Sequence, residues 1–220
     1  MTRAAAVGLG LALAACAGRA AVPAPRPPAN TGGGDRGADR PVDPLALGRG
    51  DAVALVGTVT DEQGAPHPAR WDLTVEGVFV RAAQTAWVVG GWPITRVWGD
   101  PDRALATIVV LRDGQLWLAH ARPDELAAAR AAIGDGRLPA NAAPFARWPL
   151  RAGDELCPDR DAPLMCWTVA RDGDDFHVTL RTNPDDTTYV LHPERGLVGF
   201  RYHHHGTIND VELRREAPAP

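Results

Sequence analysis

From about Asp51 onward the chain consists of short runs in which apolar and polar residues alternate, each run closed by a turn signal. A period of two is the pattern of a β-strand with one face buried. Residues 53–60 form such a run, Asp61-Glu62-Gln63-Gly64 interrupts it, and residues 71–80 form the next. ALATIVVLRDGQLWLAHA pivots on Asp113-Gly114, and MCWTVARDGDDFHVTL pivots around Asp172-Gly173. Asp-Gly between alternating runs suits a primed turn, whose positive φ values match the twist of paired strands. In the second of these hairpins Phe176, Val178 and Leu180 share one face, and His177, Thr179 and Arg181 share the other. In the last run, GLVGFRYHHHGTINDVEL, alternation puts Val198, Phe200, Tyr202 and His204 on the core side, with Gly199, Arg201, His203 and His205 on the wet side.

One stretch has helical signals instead. Pro123-Asp124-Glu125 supplies a proline and early acids, and LAAARAAI runs on to Gly134, a natural C-cap. Its inner stripe is Leu126, Ala129, Arg130 and Ile133, so the helix crosses one face of the sheet or bridges its two halves. The pattern predicts a mainly β domain over residues 50–215: a single antiparallel, curved sheet, or a sandwich or half-barrel of hairpins, with one short helix. A curved sheet partly wrapping that helix, as in lipoprotein carriers of the bacterial envelope, is a further expectation by fold analogy. GTVTDEQGAP (57–66) resembles the opening hairpin of the carboxypeptidase-regulatory-like β-sandwich over about 20 residues.

The first 46 residues follow a different logic. Arg3 precedes a 12-residue apolar run, Ala4 to Ala15. That is a secretory signal and too short for a transmembrane helix, which needs ~20 apolar residues. The run ends Leu13-Ala14-Ala15-Cys16-Ala17-Gly18. In this it resembles the precursors of bacterial lipoproteins, in which small residues before the cysteine admit a peptidase and the thiol takes a diacylglycerol. The resemblance implies removal of residues 1–15, lipidation of Cys16, and delivery to the outer membrane, because Ala17 replaces the Asp that marks inner-membrane retention. The alternative is an ordinary secretory signal in which Cys16 is incidental. Residues 17–45 contain six prolines and five glycines among 29 residues, so residues 16–46 read as a disordered tether.

Composition then removes whole classes of chemistry. All 23 basic residues are arginine, and the chain has neither lysine nor serine. Serine-triad hydrolysis, Walker A phosphate binding and lysine Schiff bases are therefore closed. A formal net charge of −4 with no basic cluster excludes a nucleic-acid partner. No catalytic motif and no cofactor signature is present, and the expectation is a non-enzymatic binding or scaffold module of the cell envelope. Paired carboxylates at 172–175 and 185–186 leave a hydrolase as an alternative, provided they face each other at ~5–9 Å.

Cys157 and Cys166 flank PDRDAPLM, and in an oxidising compartment that spacing predicts a disulfide stapling a hairpin loop. The run His203-His204-His205 raises a metal site, with His203 and His205 two residues apart on one face and His192 or His177 as third ligand. Arg201 beside them opposes a cation, and His205-Gly206 fits a tight turn. A hairpin corner is the reading preferred over a metal site. The seven tryptophans (71, 87, 92, 98, 117, 148, 167) are either core or the wall of a groove for lipid or glycan. Finally, PLRAGDEL (149–156) followed by TYVLHPERGLVGFRYHHHGT (188–207) resembles a pattern in exported bacterial proteins of undetermined function. There a tryptophan stands at the position of Leu156, and glycine or valine is common at that of Arg195. That resemblance implies export and assigns no site residue.

Overall fold

A computed structural model of the protein describes residues 44–81, 83–98, 105–157, 165–182, 185–204 and 210–217. The signal segment, Cys16 and most of the tether lie outside these residues, as does His205. The chain forms one antiparallel sheet of twelve strands. The first half runs β1 (Ala52–Thr60), β2 (Pro66–Arg81), β3 (Gln84–Gly90), helix α1 (Pro93–Val97), β4 (Ala106–Arg112), β5 (Gln115–Ala121), helix α2 (Leu126–Gly134) and β6 (Ala143–Arg147). The second half runs β7 (Glu155–Leu156), β8 (Trp167–Asp172), β9 (Asp175–Arg181), β10 (Asp185–His192), β11 (Gly196–His204) and β12 (Val211–Arg215). The predicted class, mainly β and a single antiparallel sheet built of hairpins, is the one observed.

Each half is an up-and-down meander of six strands, and the halves are joined where β1 pairs with β12. The sheet curls so far that its two edges, β6 and β7, lie against each other, making a nearly closed barrel. Side-chain packing holds this seam, with Phe145 on β6 meeting Trp167 on β8 edge to face at 4.7 Å. Three bulges re-aim side chains on the way round. At Glu76 the bulge lets Phe79 pack outward beneath α2 while Val78 stays inside; at Phe145 it turns that ring inward. Bulges also raise local twist, which a strongly curled sheet needs.

The third bulge corrects the alternation read in the last run. The register of β10 on β11 passes from Val190↔Gly199 to Leu191↔Leu197, so Val198 is the unpaired residue and turns outward, and Leu197 takes its place in the core. Phe200 remains fully buried as expected. His177, Thr179 and Arg181 also lie on the outer face of β9, with Val178 buried opposite.

The interior is aromatic. Tyr189 on β10 stacks or tilts against Trp92 (5.4 Å), Phe145 (5.3 Å), Phe200 (5.4 Å) and Trp167 (6.1 Å), and its hydroxyl accepts a hydrogen bond from Trp92 Nε1 at 3.1 Å. Twelve strands enclose more space than aliphatic side chains easily fill, and these rings occupy it. Leu45 and Leu47, at the boundary expected for the tether, are buried in the same core, and Leu47 accepts a hydrogen bond from Trp87 Nε1 at 3.2 Å. Packing thus extends N-terminal of the expected start at residue 50, to Leu45.

The predicted helix is present as α2, and Leu126, Ala129 and Ile133 face the sheet. It neither bridges two halves nor sits inside a curved sheet. It covers a second apolar layer (Ala86, Val88, Ile108, Val110, Ala119) on the outer face of β3–β5, which explains why these strands are apolar on both sides. Arg130, the polar member of the stripe, reaches Glu76 at 2.6 Å. A second helix, α1, was not predicted. It is one turn long, starts with Pro93 after Trp92, and buries Ile94.

The close approach of β1 and β12 is set at Gly57, where a Cβ would stand 2.1 Å from the carbonyl oxygen of Glu212. Replacing Gly57 with Ala should therefore cost at least about 2 kcal/mol, since backbone must shift to relieve the overlap. Equilibrium denaturation reads this directly; a loss within about 0.5 kcal/mol would show that the pairing tolerates a side chain there.

Candidate functional site

The Cys157–Cys166 disulfide closes the β7–β8 hairpin as the spacing predicted, with the Cα atoms 4.2 Å apart. It fastens the two-residue strand β7, which has little pairing of its own, at the barrel seam. Glu155 lies beside the two sulfurs, but the thiols are consumed by the bond and do not serve a metal. Removing both cysteines with Ala should lower stability by about 2.5–3 kcal/mol through the freed loop, measured by denaturant titration under oxidising conditions.

The histidines named as metal candidates are dispersed. His203 lies on the outer face near the end of β11 and contacts Asp210, while His204 faces inward and contacts Asp185. His192 pairs with Gly196 at the opposite end of β11, and its Nδ1 accepts the backbone N–H groups of Glu194 (3.0 Å) and Arg195 (3.2 Å). That nitrogen is spent on the turn. The acidic clusters are equally far apart. Asp175 begins β9 and Asp186 pairs with Arg181 at its other end, about 20 Å away at the rise of a strand. Their separation does not suit the two-carboxylate arrangement.

Three tryptophans, 87, 92 and 167, are core residues, and Trp71 packs against Phe200 at 6.1 Å. Trp117 belongs to the layer under α2, and Trp148 packs beside the main core. They do not line a common groove. Trp98, 57% exposed, is the exception, and it stands edge-on to His120 at 5.1 Å. His120 Nδ1 is 2.9 Å from the hydroxyl of fully buried Thr107. Burial holds the His120 imidazole down to about 4, so it is neutral at physiological pH.

Among the described residues, a depression lies on the outer face of β9–β12. It encloses about 250 Å³. Val190, Val198 and Gly199 make its floor, and His177, Asp172 and Asp175 stand on the β8–β9 side. Arg201, Arg214 and Arg215 stand on the β11–β12 side, with Arg195 arching in from the turn between β10 and β11. The cross-strand register explains the assembly: His177, Val190, Gly199 and Arg214 are successive partners in one row across four strands. Arg201 belongs to the next row, opposite Thr188 and Glu212. Arg215 Nη1 donates to the carbonyl of Arg195 at 2.6 Å and so ties the turn to the last strand. Sequence alternation placed His177, Gly199 and Arg201 on the wet face, but no signal linked them to Arg195, Arg214 or Asp175. Only the pairing of strands distant in sequence brings those together.

No protein-family model matches the chain, and no curated protein matches it. Among solved structures it is similar to a Bacteroides fragilis protein designated as exported, with a YmcC-like fold, at a TM-score of 0.37 and 8% identity, over 77% of this chain and 97% of the other. At that distance the likeness assigns no activity.

His120 makes stability pH-dependent in a defined window. Its folded value lies below the ~6.5 of an unfolded histidine, so the unfolded chain binds a proton that the folded protein refuses. The contribution is complete above pH ~6.5 and is lost as pH falls towards 4, by up to about 3 kcal/mol. Replacing His120 with Gln, which keeps a hydrogen-bonding group for Thr107, should flatten the stability profile between those two pH values. Parallel profiles for the two proteins would place the acid sensitivity elsewhere.

Proposed function

We propose that this protein is an exported, lipid-anchored module of the bacterial cell envelope that binds its partner on the outer surface of a filled barrel and performs no catalysis. The observation that carries the binding half of this reading is the aromatic interior. Tyr189 and the rings around it occupy the space a lipocalin-like carrier would leave for a ligand, so recognition falls to the outer face and its depression on β9–β12. The anchoring half rests on Leu13-Ala14-Ala15-Cys16, on the Pro/Gly-rich segment after it, and on a disulfide that an oxidising compartment would keep intact. Delivery to the outer membrane follows from Ala17 after the cysteine. Several acyl chains give a durable hold, each buried CH₂ contributing ~0.8 kcal/mol.

Expression of the full chain in a bacterium tests the anchor. The wild-type protein should partition into detergent and give a mature N-terminus at Cys16 bearing acyl mass, whereas Cys16→Ala should remain unacylated and leave the detergent phase. Wild-type protein recovered as a soluble, unacylated species would rule the anchor out.

A further inference from the structure

We propose that the depression on β9–β12 is a site for one oxyanion group, a phosphate monoester in its chemistry, held chiefly by Arg201 and Arg214. The proposal rests on the reading of this domain as a module that binds on its outer face.

Four arginines elsewhere on the same surface are matched tightly to carboxylates. Arg70 meets Glu216 at 2.7 Å, Arg122 meets Glu125 at 2.6 Å, Arg130 meets Glu76 at 2.6 Å and Arg137 meets Asp135 at 2.9 Å. Each is a hydrogen-bonded ion pair. In the depression the pairs are looser, as they also are at Arg171 (3.8 Å to Asp174) and Arg181 (3.9 Å to Asp186): Arg195 to Asp175 is 3.7 Å, Arg201 to Glu212 is 3.7 Å and Arg214 to Glu212 is 3.6 Å, and here three such arginines stand together. None of these three reaches hydrogen-bonding distance of a carboxylate, so charge is partly balanced while the guanidinium donors remain unspent. A guanidinium offers five N–H donors in a planar fork, the geometry that matches phosphate and carboxylate oxygens.

The backbone makes room for such a group. Gly199 lies between Val190 and Arg214 in the cross-strand row, where a side chain would occupy the floor; even a Cβ would stand 3.3 Å from Val190 Cγ2 and 3.1 Å from the Leu213 carbonyl. The bulge turns Val198 outward beside it, giving a low apolar base between charged walls. A volume of 250 Å³ is several times the ~30 Å³ share of one water, enough for a small anion with part of its hydration shell. His177 faces the arginines across the row and adds a donor from the opposite wall.

The charge pattern sets the size of the ligand's charged part. Four arginines line the depression against Asp172 and Asp175, and Glu212 at the rim offsets one more positive charge. The positive field is therefore confined to the β11–β12 wall. An extended polyanion would meet the two aspartates, whereas a single oxyanion at Arg201 and Arg214 stays clear of them and displaces only the loosely held Glu212 carboxylate, whose Oε1 stands 3.7 and 3.6 Å from the two guanidinia.

Such a group comes either free in solution or on a lipid headgroup, and the test separates the two. The full chain carrying Cys16→Ala, produced with its disulfide formed, is titrated with inorganic phosphate at low ionic strength. Calorimetry and the His177 imidazole NMR resonances are the readouts. It is also sedimented with phosphatidylcholine vesicles with and without phosphatidic acid. The expected result is saturable binding of phosphate, of the phosphatidic acid vesicles, or of both, weakened at least tenfold by Arg201→Ala with Arg214→Ala and unchanged by Arg122→Ala. Phosphate binding alone identifies a soluble ligand, and vesicle binding alone identifies a headgroup. Binding to neither, or binding indifferent to the two arginines in a variant whose circular dichroism matches wild type, would overturn the proposal. Native mass spectrometry keeps the two readings apart: a co-purified neutral ligand held equally by wild type and the double variant would leave the binding module standing and remove the oxyanion.

Discussion

The pairing of β1 with β12 is the contact on which the rest of the molecule depends. Without it the chain would be two separate six-stranded meanders, each with an exposed apolar face and open edges. With it, strands separated by the whole domain share one sheet, and the curl brings β6 and β7 together at the far side. The approach is so close at Gly57 that the pairing depends on the absence of a side chain. The remaining seam has no ladder among the described residues and is closed by Phe145 against Trp167, with the disulfide holding β7 in place. Backbone hydrogen bonds close one side of the barrel and side-chain packing closes the other, while the disulfide ties β7 to β8.

That closure decides where function can reside. Rings from β6, β8, β11 and the residue before α1 converge on Tyr189, whose phenol burial pushes well above its ordinary range. A phenol so placed is a structural group, and its one hydrogen bond, from Trp92, satisfies it. The inner surface is thereby committed to stability. On the outer surface, α2 covers β3–β5, while no described element covers β9–β12, which carry the depression. The asymmetry between a helix-covered and a bare half gives the barrel a face.

The bare half owes its shape to a small irregularity. One extra residue in β11 turns Val198 outward beside Gly199, which lies in the row between Val190 and Arg214. A regular strand would have kept Val198 in the core and left a flat, charged surface. Bulges near the mouths of barrels commonly re-aim side chains in this way.

Much of this was legible in the sequence, and the boundary between what was and was not has a physical cause. Alternation marked the strands, Asp-Gly marked the turns, the alanine-rich run marked α2, and the cysteine spacing matched the hairpin it closes, because each is a local property of a few consecutive residues; the expected C-cap Gly134 is instead the last helical residue, with Asp135 as the cap. The apolar run ending at Cys16 is likewise read locally. Helix α1 escaped because a single turn carries too little periodicity, and Val198 was assigned inward because a bulge leaves no mark in an alternating pattern. The dispersal of His192 from His203 depended on which end of a hairpin each occupies. The grouping of Arg195, Arg201 and Arg214 with His177 depended on the register of four strands, which is set by how the whole sheet closes. Local chemistry, then, determined the elements and the staple; strand order, a property of the entire folded chain, decided that Trp87, Trp92 and Trp167 fill the barrel and that the arginines meet outside it.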